Sequence, residues 1–288
     1  MFNVEYYGNS LSLLTEGWII LELDLNGINA DSLVQMLKAS FTLENWDGIL
    51  QIADKLYSEI NHFYSINQRE STDGQKESDF GLKRSIVYYF GFSMCLKGIA
   101  LEKMGRYDEA RECISKYEEL GWINDMDAGG WAEVEYYSEI ARANRYVIDL
   151  NEGNTEVLPD YLVFLRHNNE ELLPGMTHIL ESAIKHEYNV DEVLIEFKEQ
   201  IESMEEYYET NRNIRYYLDF IYLKAKYYSL NGNIYDAINM LSYAMASSVK
   251  FKDDTGFRKS AALFEKLRNQ TTPEQLDKYL GLMEQILV

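Results

Sequence analysis

The sequence predicts an all-α protein built from antiparallel helical hairpins, and three observations support this prediction. Apolar residues recur at three- and four-residue spacing through most of the 288 residues, which is the pattern of a helix that buries one face. Only three prolines, Pro159, Pro174 and Pro273, interrupt the chain, and this favours long helices over short strands. Short polar connections separate the apolar segments, so consecutive helices are expected to be antiparallel neighbours.

The N-terminal part of the chain is predicted to be helical up to residue 65. Residues 9–25 form an apolar run that fits a buried helix, although such a run also occurs in strands. Residues 31–41 and 44–64 carry apolar residues at helical spacing and are predicted as amphipathic helices. Residues 66–83 are polar, with little to bury, and are predicted as a flexible loop.

The clearest hairpin in the sequence spans Met94 to Leu120. Gly98 lets two helices approach closely, and Gly105 provides the backbone freedom that ends the first helix. Tyr107 is expected to fill the gap between the two helices, while Ala110 leaves room for the facing helix. A second hairpin with the same spacing lies between residues 219 and 249. In it, Gly232, Ile234 and Ala237 occupy the positions of Gly105, Tyr107 and Ala110.

Residues 84–288 are therefore predicted as one array of hairpins that continues the N-terminal helical segment, residues 1–65. Asn, Gly and Thr-Pro signals mark the ends of the later helices. The helices predicted after the first hairpin cover residues 131–150, 156–166, 172–186, 190–208, 211–230, 234–250, 255–267 and 273–287.

The spacing of Gly98, Gly105, Tyr107 and Ala110 resembles the tetratricopeptide repeat, a helical hairpin of about 34 residues. The resemblance implies a right-handed superhelical array, in which the first helix of each hairpin lines an inner wall. For the second hairpin this wall consists of Asp219, Tyr222, Lys226 and Ser229. For the first hairpin it consists of Phe92, Cys95, Ile99 and Glu102.

An acidic, tyrosine-rich array of divergent hairpins further resembles the sensor region of pheromone-responsive (Rap- and Rgg-like) and helix-turn-helix regulators of Gram-positive bacilli, mainly in residues 88–122 and 151–161. This resemblance implies that the inner wall binds a short peptide and that its occupancy controls transcription or signalling. The DNA-binding members begin with a basic domain of about 60 residues. Residues 1–43 hold only one basic residue, Lys38, so either that domain is absent from this chain or the protein acts through protein contacts.

Two groups of residues are candidates for ligand binding. Tyr222 and Lys226, together with Asp219, give the second hairpin a polar and aromatic wall that suits a peptide backbone or a terminal carboxylate. Arg142, Asn144 and Arg145 are unusually basic for this chain, and they are expected either to meet an acidic group of the ligand or to form ion pairs with neighbouring helices.

The net charge of −21 argues against two classes of partner. Such a field repels phosphate backbones and anionic lipids, so we expect neither direct nucleic-acid binding nor membrane binding. Residues 187–210 hold nine Asp or Glu and one Lys, which suits either a docking surface for a basic partner or a solvated helix face.

The absence of a secretory signal predicts a cytoplasmic protein. Its two cysteines, Cys95 and Cys113, are expected on facing helices as buried thiols or as a redox pair.

Nothing in the sequence favours an enzyme, a cofactor or a metal site. A di-metal bundle needs Glu-x-x-His on two helices, whereas Glu59 and His62 form the one such pair. A phosphatase-like regulator that acts on a phosphorylated response regulator remains an alternative, as does a constitutive scaffold.

The C-terminal apolar stripe suggests either a homodimer contact or a capping helix of the array; its residues are Leu276, Tyr279, Leu280, Met283 and Leu287.

Overall fold

The computed structural model describes residues 23–72, 82–210 and 214–286, and this part of the chain is all-α, with no strand. The α-helices among these residues are α1 (Ala30–Thr42), α2 (Trp46–Thr72), α3 (Ile86–Lys103), α4 (Tyr107–Glu118), α5 (Ala128–Asn151), α6 (Leu158–His167), α7 (Leu172–His186), α8 (Asp191–Glu196), α9 (Lys198–Glu202), α10 (Glu205–Thr210), α11 (Ile214–Leu230), α12 (Ile234–Phe251), α13 (Asp254–Leu267) and α14 (Pro273–Ile286). The chain divides into two compact units, one up to Ile148 and one from Asp149 onward.

The first unit is built around α3, which is apolar on nearly all sides and is buried over most of its length. Helices α1, α2 and α4 pack against it. Its N-terminus is capped by Ser85, whose Oγ accepts a hydrogen bond from the backbone N–H of Tyr88 at 3.0 Å. Tyr137 of α5 covers a further side of α3, because a Cβ atom at Gly91 would lie 2.2 Å from Cε2 of its ring.

The predicted hairpin around Gly105 is confirmed. Gly105 ends α3 with a φ of +74°, and the N–H of Arg106 returns to the carbonyl of Leu101 at 2.8 Å. A Cβ atom at Gly98 would lie 3.3 Å from the Cβ of Cys113, so the absence of a side chain there allows the close approach of α3 and α4. Ala110 is fully buried, as the sequence predicts.

One hydrophobic core of the second unit lies between α11, α12, α13 and α14. Ala225 of α11 and Ala237 of α12 allow close packing, and Gly232 joins these helices with a φ of +82°. The predicted second hairpin is therefore confirmed. Helix α14 closes this core: the rings of Tyr279 and Phe264 stack with their centroids 4.0 Å apart.

Helix α14 packs onto its own unit, as the capping alternative predicts. Leu276, Tyr279 and Met283 pack against the core of their own unit, and Leu280 is 41% exposed. Leu287, the last residue of the predicted stripe, lies outside the described residues.

The structure corrects three predicted element boundaries. Residues 190–208 form three short helices rather than one, with interruptions at Phe197 and at Ser203 and Met204. Helix α2 extends to Thr72, so the predicted loop at 66–83 is helical in its first part, and residues 73–81 are outside the described part. Of the predicted helix at 9–25, only residues 23–25 are described, and they are not helical.

In the described part of the chain, no helix combines the length and the apolar character that crossing a membrane requires.

Buried tyrosines predict a loss of stability in alkali. Burial raises the pKa of Tyr217 and of Tyr279 to about 12, and it raises the pKa of Tyr117 well above the ordinary value. The contribution of these tyrosines to the free energy of unfolding is fully present below the ordinary tyrosine pKa of about 10. It is lost as the pH rises from that value through the pKa values of the folded state. We expect the melting temperature to fall between about pH 10 and pH 12, together with a cooperative rise in tyrosinate absorbance. Tyrosinate that forms gradually while the helical circular dichroism is retained would contradict this.

Candidate functional site

The candidate site lies on one face of α11. Asp219, Tyr222 and Lys226 follow each other at spacings of three and four residues, which places them on the same side of a helix. All three are half-buried. Other positions of α11, such as Phe220 and Ala225, are buried and fix the helix against its neighbours. The sequence-derived grouping of the three residues is therefore present in the structure.

One end of this face is a charged cluster around Asp219. The Nε atom of Arg215 lies 3.9 Å from Oδ2 of Asp219, and the Nζ atom of Lys259, on α13, lies 3.9 Å from Oδ1. These separations exceed hydrogen-bond length, and the side chains are 30 to 45% exposed, so the ion pairs contribute little stability. The ammonium group of Lys259, whose side chain is 45% exposed, is accessible to an incoming anion.

Tyr222 occupies the middle of the face. Its ring packs against the core of the unit, in which α11, α12 and α13 all take part. Burial, and secondarily the negative charge of Asp219, raises the pKa of its hydroxyl. Tyr222 is therefore neutral at physiological pH, and its hydroxyl can both donate and accept a hydrogen bond.

Lys226 lies about 10 Å beyond Asp219 along the helix axis, as the 1.5 Å rise per residue requires. Within the described residues its ammonium group makes no ion pair with a carboxylate. A half-buried cation without a counter-ion attracts an anion more strongly than a fully solvated one does. The fourth residue of the predicted wall, Ser229, directs its hydroxyl to the carbonyl oxygen of Lys226 at 2.7 Å and so serves the helix itself.

We call this surface the α11–α13 face and define it by Arg215, Asp219, Tyr222, Lys226 and Lys259. It combines three cations and one carboxylate with a half-buried aromatic ring, in a chain whose net charge is −21. The arrangement can bind a carboxylate at one end and hold a backbone or side chain against the ring. Sequence reasoning did not include Arg215 or Lys259. The i,i+4 spacing from Asp219 was a signal for Arg215, whereas Lys259 is brought in by the packing of α13.

The second predicted group, Arg142, Asn144 and Arg145, lies on α5. Arg145 forms a two-point ion pair with Glu118 of α4, and the amide nitrogen of Asn144 donates to the hydroxyl of Tyr117 at 2.8 Å. Arg142 approaches Glu139 of its own helix at 3.6 Å. These contacts match the alternative in which the basic residues serve ion pairs within the protein.

The inner wall predicted for the first hairpin does not form an open groove. Phe92, Cys95 and Glu102 are buried, because α3 is enclosed by its neighbours, and Asn144 of α5 lies 3.9 Å from the sulfur of Cys95. Cys95 and Cys113 are both free thiols, and burial raises the pKa of Cys113 to about 11.

Across the described ranges, no group of three His, Cys, Asp or Glu side chains is placed to hold a metal ion. Comparisons of this chain with protein-family models, with curated proteins and with solved structures give no match.

Proposed function

We propose that this protein is a cytoplasmic regulatory binding protein that recognises a short peptide or a partner protein on the α11–α13 face. The observation that carries the proposal is the pairing of Tyr222 with Lys226, a half-buried aromatic ring one helical turn from a cation that has no counter-ion among the described residues. Lys226 would pair with a carboxylate of the ligand, and the ring would support the adjoining residues. The protein acts by binding rather than by catalysis.

The resemblance to pheromone-responsive regulators suggests the biological setting of this binding. In that setting the hairpins continue into a right-handed superhelical array, and the bound peptide switches transcription or signalling through protein contacts. The net charge of −21 supports protein contacts over direct contacts with nucleic acid or anionic membranes.

The proposal is tested with a synthetic library of random hexapeptides, prepared with free carboxyl ends and, in parallel, with amidated ends. Immobilised protein is expected to enrich a subset of the free-acid peptides, identified by mass spectrometry. Amidation removes the charge that Lys226 would bind, so affinity should fall about tenfold, which corresponds to about 1.4 kcal/mol. Native mass spectrometry of the protein from its own host should show a co-purified peptide that obeys the same preference.

Two variants locate the binding. Lys226→Ala should weaken the enriched peptides about tenfold. Lys266→Ala is the matched control, since Lys266 is an exposed residue of α13 that makes no ion pair with any residue that the structure describes. No enrichment in either library, or equal affinity for Lys226→Ala and the unaltered protein, would show that this face is not the binding site. Release of phosphate from a phosphorylated response regulator would instead establish the enzymatic alternative.

A further inference from the structure

A second surface lies in the unit that ends at Ile148, where α4 ends and α5 begins. It is a shallow hollow of about 740 Å³, lined by apolar and acidic side chains. Its lining includes Glu118, Trp131, Glu135, Ser138 and Glu139. Neither the α11–α13 face nor any contact described for it takes part in this hollow.

Trp131 gives the hollow an exposed aromatic surface. Its side chain is 55% exposed, although an indole buries well in most folded proteins. The ring lies against the chain between α4 and α5. A Cβ atom at Gly121, in that connection, would lie 3.8 Å from Cζ3 of Trp131, which is an ordinary contact distance. One face of a large, well-placed aromatic ring is thus available to a ligand.

Three carboxylates, those of Glu118, Glu135 and Glu139, line the hollow together with this ring. Trp131, Glu135 and Ser138 are spaced by four and three residues, so they lie on one side of α5. Glu118 is already paired with Arg145, and Glu139 lies 3.6 Å from Arg142. Glu135 is exposed and makes no ion pair or hydrogen bond within the described part of the chain. The hollow therefore contains an unmatched negative charge one helical turn from an open indole face.

We propose that this hollow binds an arginine side chain in a basic segment of a partner protein. The planar guanidinium group stacks on the indole of Trp131, while its N–H groups donate to the carboxylate of Glu135. Arginine suits this combination better than lysine, because its weakly hydrated flat group can use the ring and the carboxylate together. The charge of −21 on the whole chain attracts such a segment from a distance, and the hollow determines where it binds.

The experiment must separate this site from general attraction to an acidic protein. The probe is the peptide acetyl-Gly-Gly-Arg-Gly-Gly-amide, compared with analogues in which arginine is replaced by citrulline, which has the same shape without the charge, or by lysine. Binding is followed by nuclear magnetic resonance, from the indole N–H of Trp131 and the backbone amides of α5. The arginine peptide should shift these signals saturably, and the citrulline peptide should not.

Variants at exposed positions complete the test. Trp131→Ala and Glu135→Gln should each weaken the arginine peptide about fivefold or more. Glu112→Gln is the matched control, because it removes one exposed carboxylate of α4 outside the hollow and should change affinity less than about twofold. Equal weakening by Glu112→Gln and Glu135→Gln, an unchanged affinity in Trp131→Ala, or equal binding of the lysine peptide would each overturn the proposal. Because the probe carries no free carboxylate, these outcomes do not depend on the α11–α13 face.

Discussion

Replacement of Gly91 by alanine should remove about 2 to 3 kcal/mol from the free energy of unfolding, a large share of the stability of one unit. The added Cβ would lie 2.2 to 2.5 Å from three ring atoms of Tyr137, distances that force a displacement. The ring has little room to move, because Tyr137 is buried and its hydroxyl donates to the carbonyl of Tyr88 at 3.1 Å. Urea denaturation followed by circular dichroism measures the loss.

Gly281→Ala is the matched control for this substitution. Gly281 lies inside α14, and a Cβ there would meet no atom within 4 Å, so alanine should stabilise the helix by up to about 1 kcal/mol. In a Tyr137→Leu background, the cost of Gly91→Ala should shrink, because the atoms that it displaces are gone. If Gly91→Ala were neutral in the unaltered protein, the close contact between α3 and α5 would be wrong.

Gln275→Ala is expected to cost about 1 to 2 kcal/mol, since it removes a helix cap and the hydrogen bonds that join α14 to α12. Gln275 and Thr272 form a capping box: the N–H of Gln275 donates to Oγ1 of Thr272 at 3.2 Å, and the N–H of Thr272 donates to Oε1 of Gln275 at 3.1 Å. The amide nitrogen of Gln275 donates to the carbonyl of Tyr235 and to Oδ1 of Asn239, which joins α14 to α12.

Two further variants divide this effect into its parts. Gln275→Glu keeps an acceptor for the capping box but cannot donate to Tyr235 and Asn239, so it should be destabilising as well. Gln285→Ala changes an exposed glutamine of the same helix and should alter stability by less than about 0.5 kcal/mol. Equal melting temperatures for Gln275→Ala and Gln285→Ala would show that the link between α14 and α12 contributes nothing.

The ends of the two clearest hairpins were predictable because each rests on one local requirement. Gly105 and Gly232 adopt positive φ values where a helix must end, and glycine adopts them at the lowest cost. The two breaks between residues 190 and 210 gave no such signal. Apolar residues at helical spacing continue across Phe197, and no glycine or proline marks the interruptions. The positions of these two interruptions depend on how the helices pack, and a local sequence pattern carries no information about packing.

The same distinction applies to the candidate site. Asp219, Tyr222 and Lys226 could be grouped from the sequence because helix geometry alone puts them on one side. Lys259 is 40 residues from Asp219 in the sequence, and its approach depends on how α13 packs against α11. The hollow at Trp131 was not predicted for a similar reason, since Glu118 and Glu135 come together only when α4 meets α5. Asn144 shows the converse: a polar residue suggested a ligand contact, but its partner is Tyr117 inside the protein.

The two buried cysteines allow the opening of the first unit to be measured by the rate of thiol alkylation. Cys95 and Cys113 are the only cysteines of the chain, and both lie between Met94 and Leu120, in the unit that ends at Ile148. At neutral pH an alkylating reagent meets a shielded, protonated thiol until α3 and α4 separate. The alkylation rate therefore reports how often this hairpin opens, while the other unit contributes no signal to the measurement.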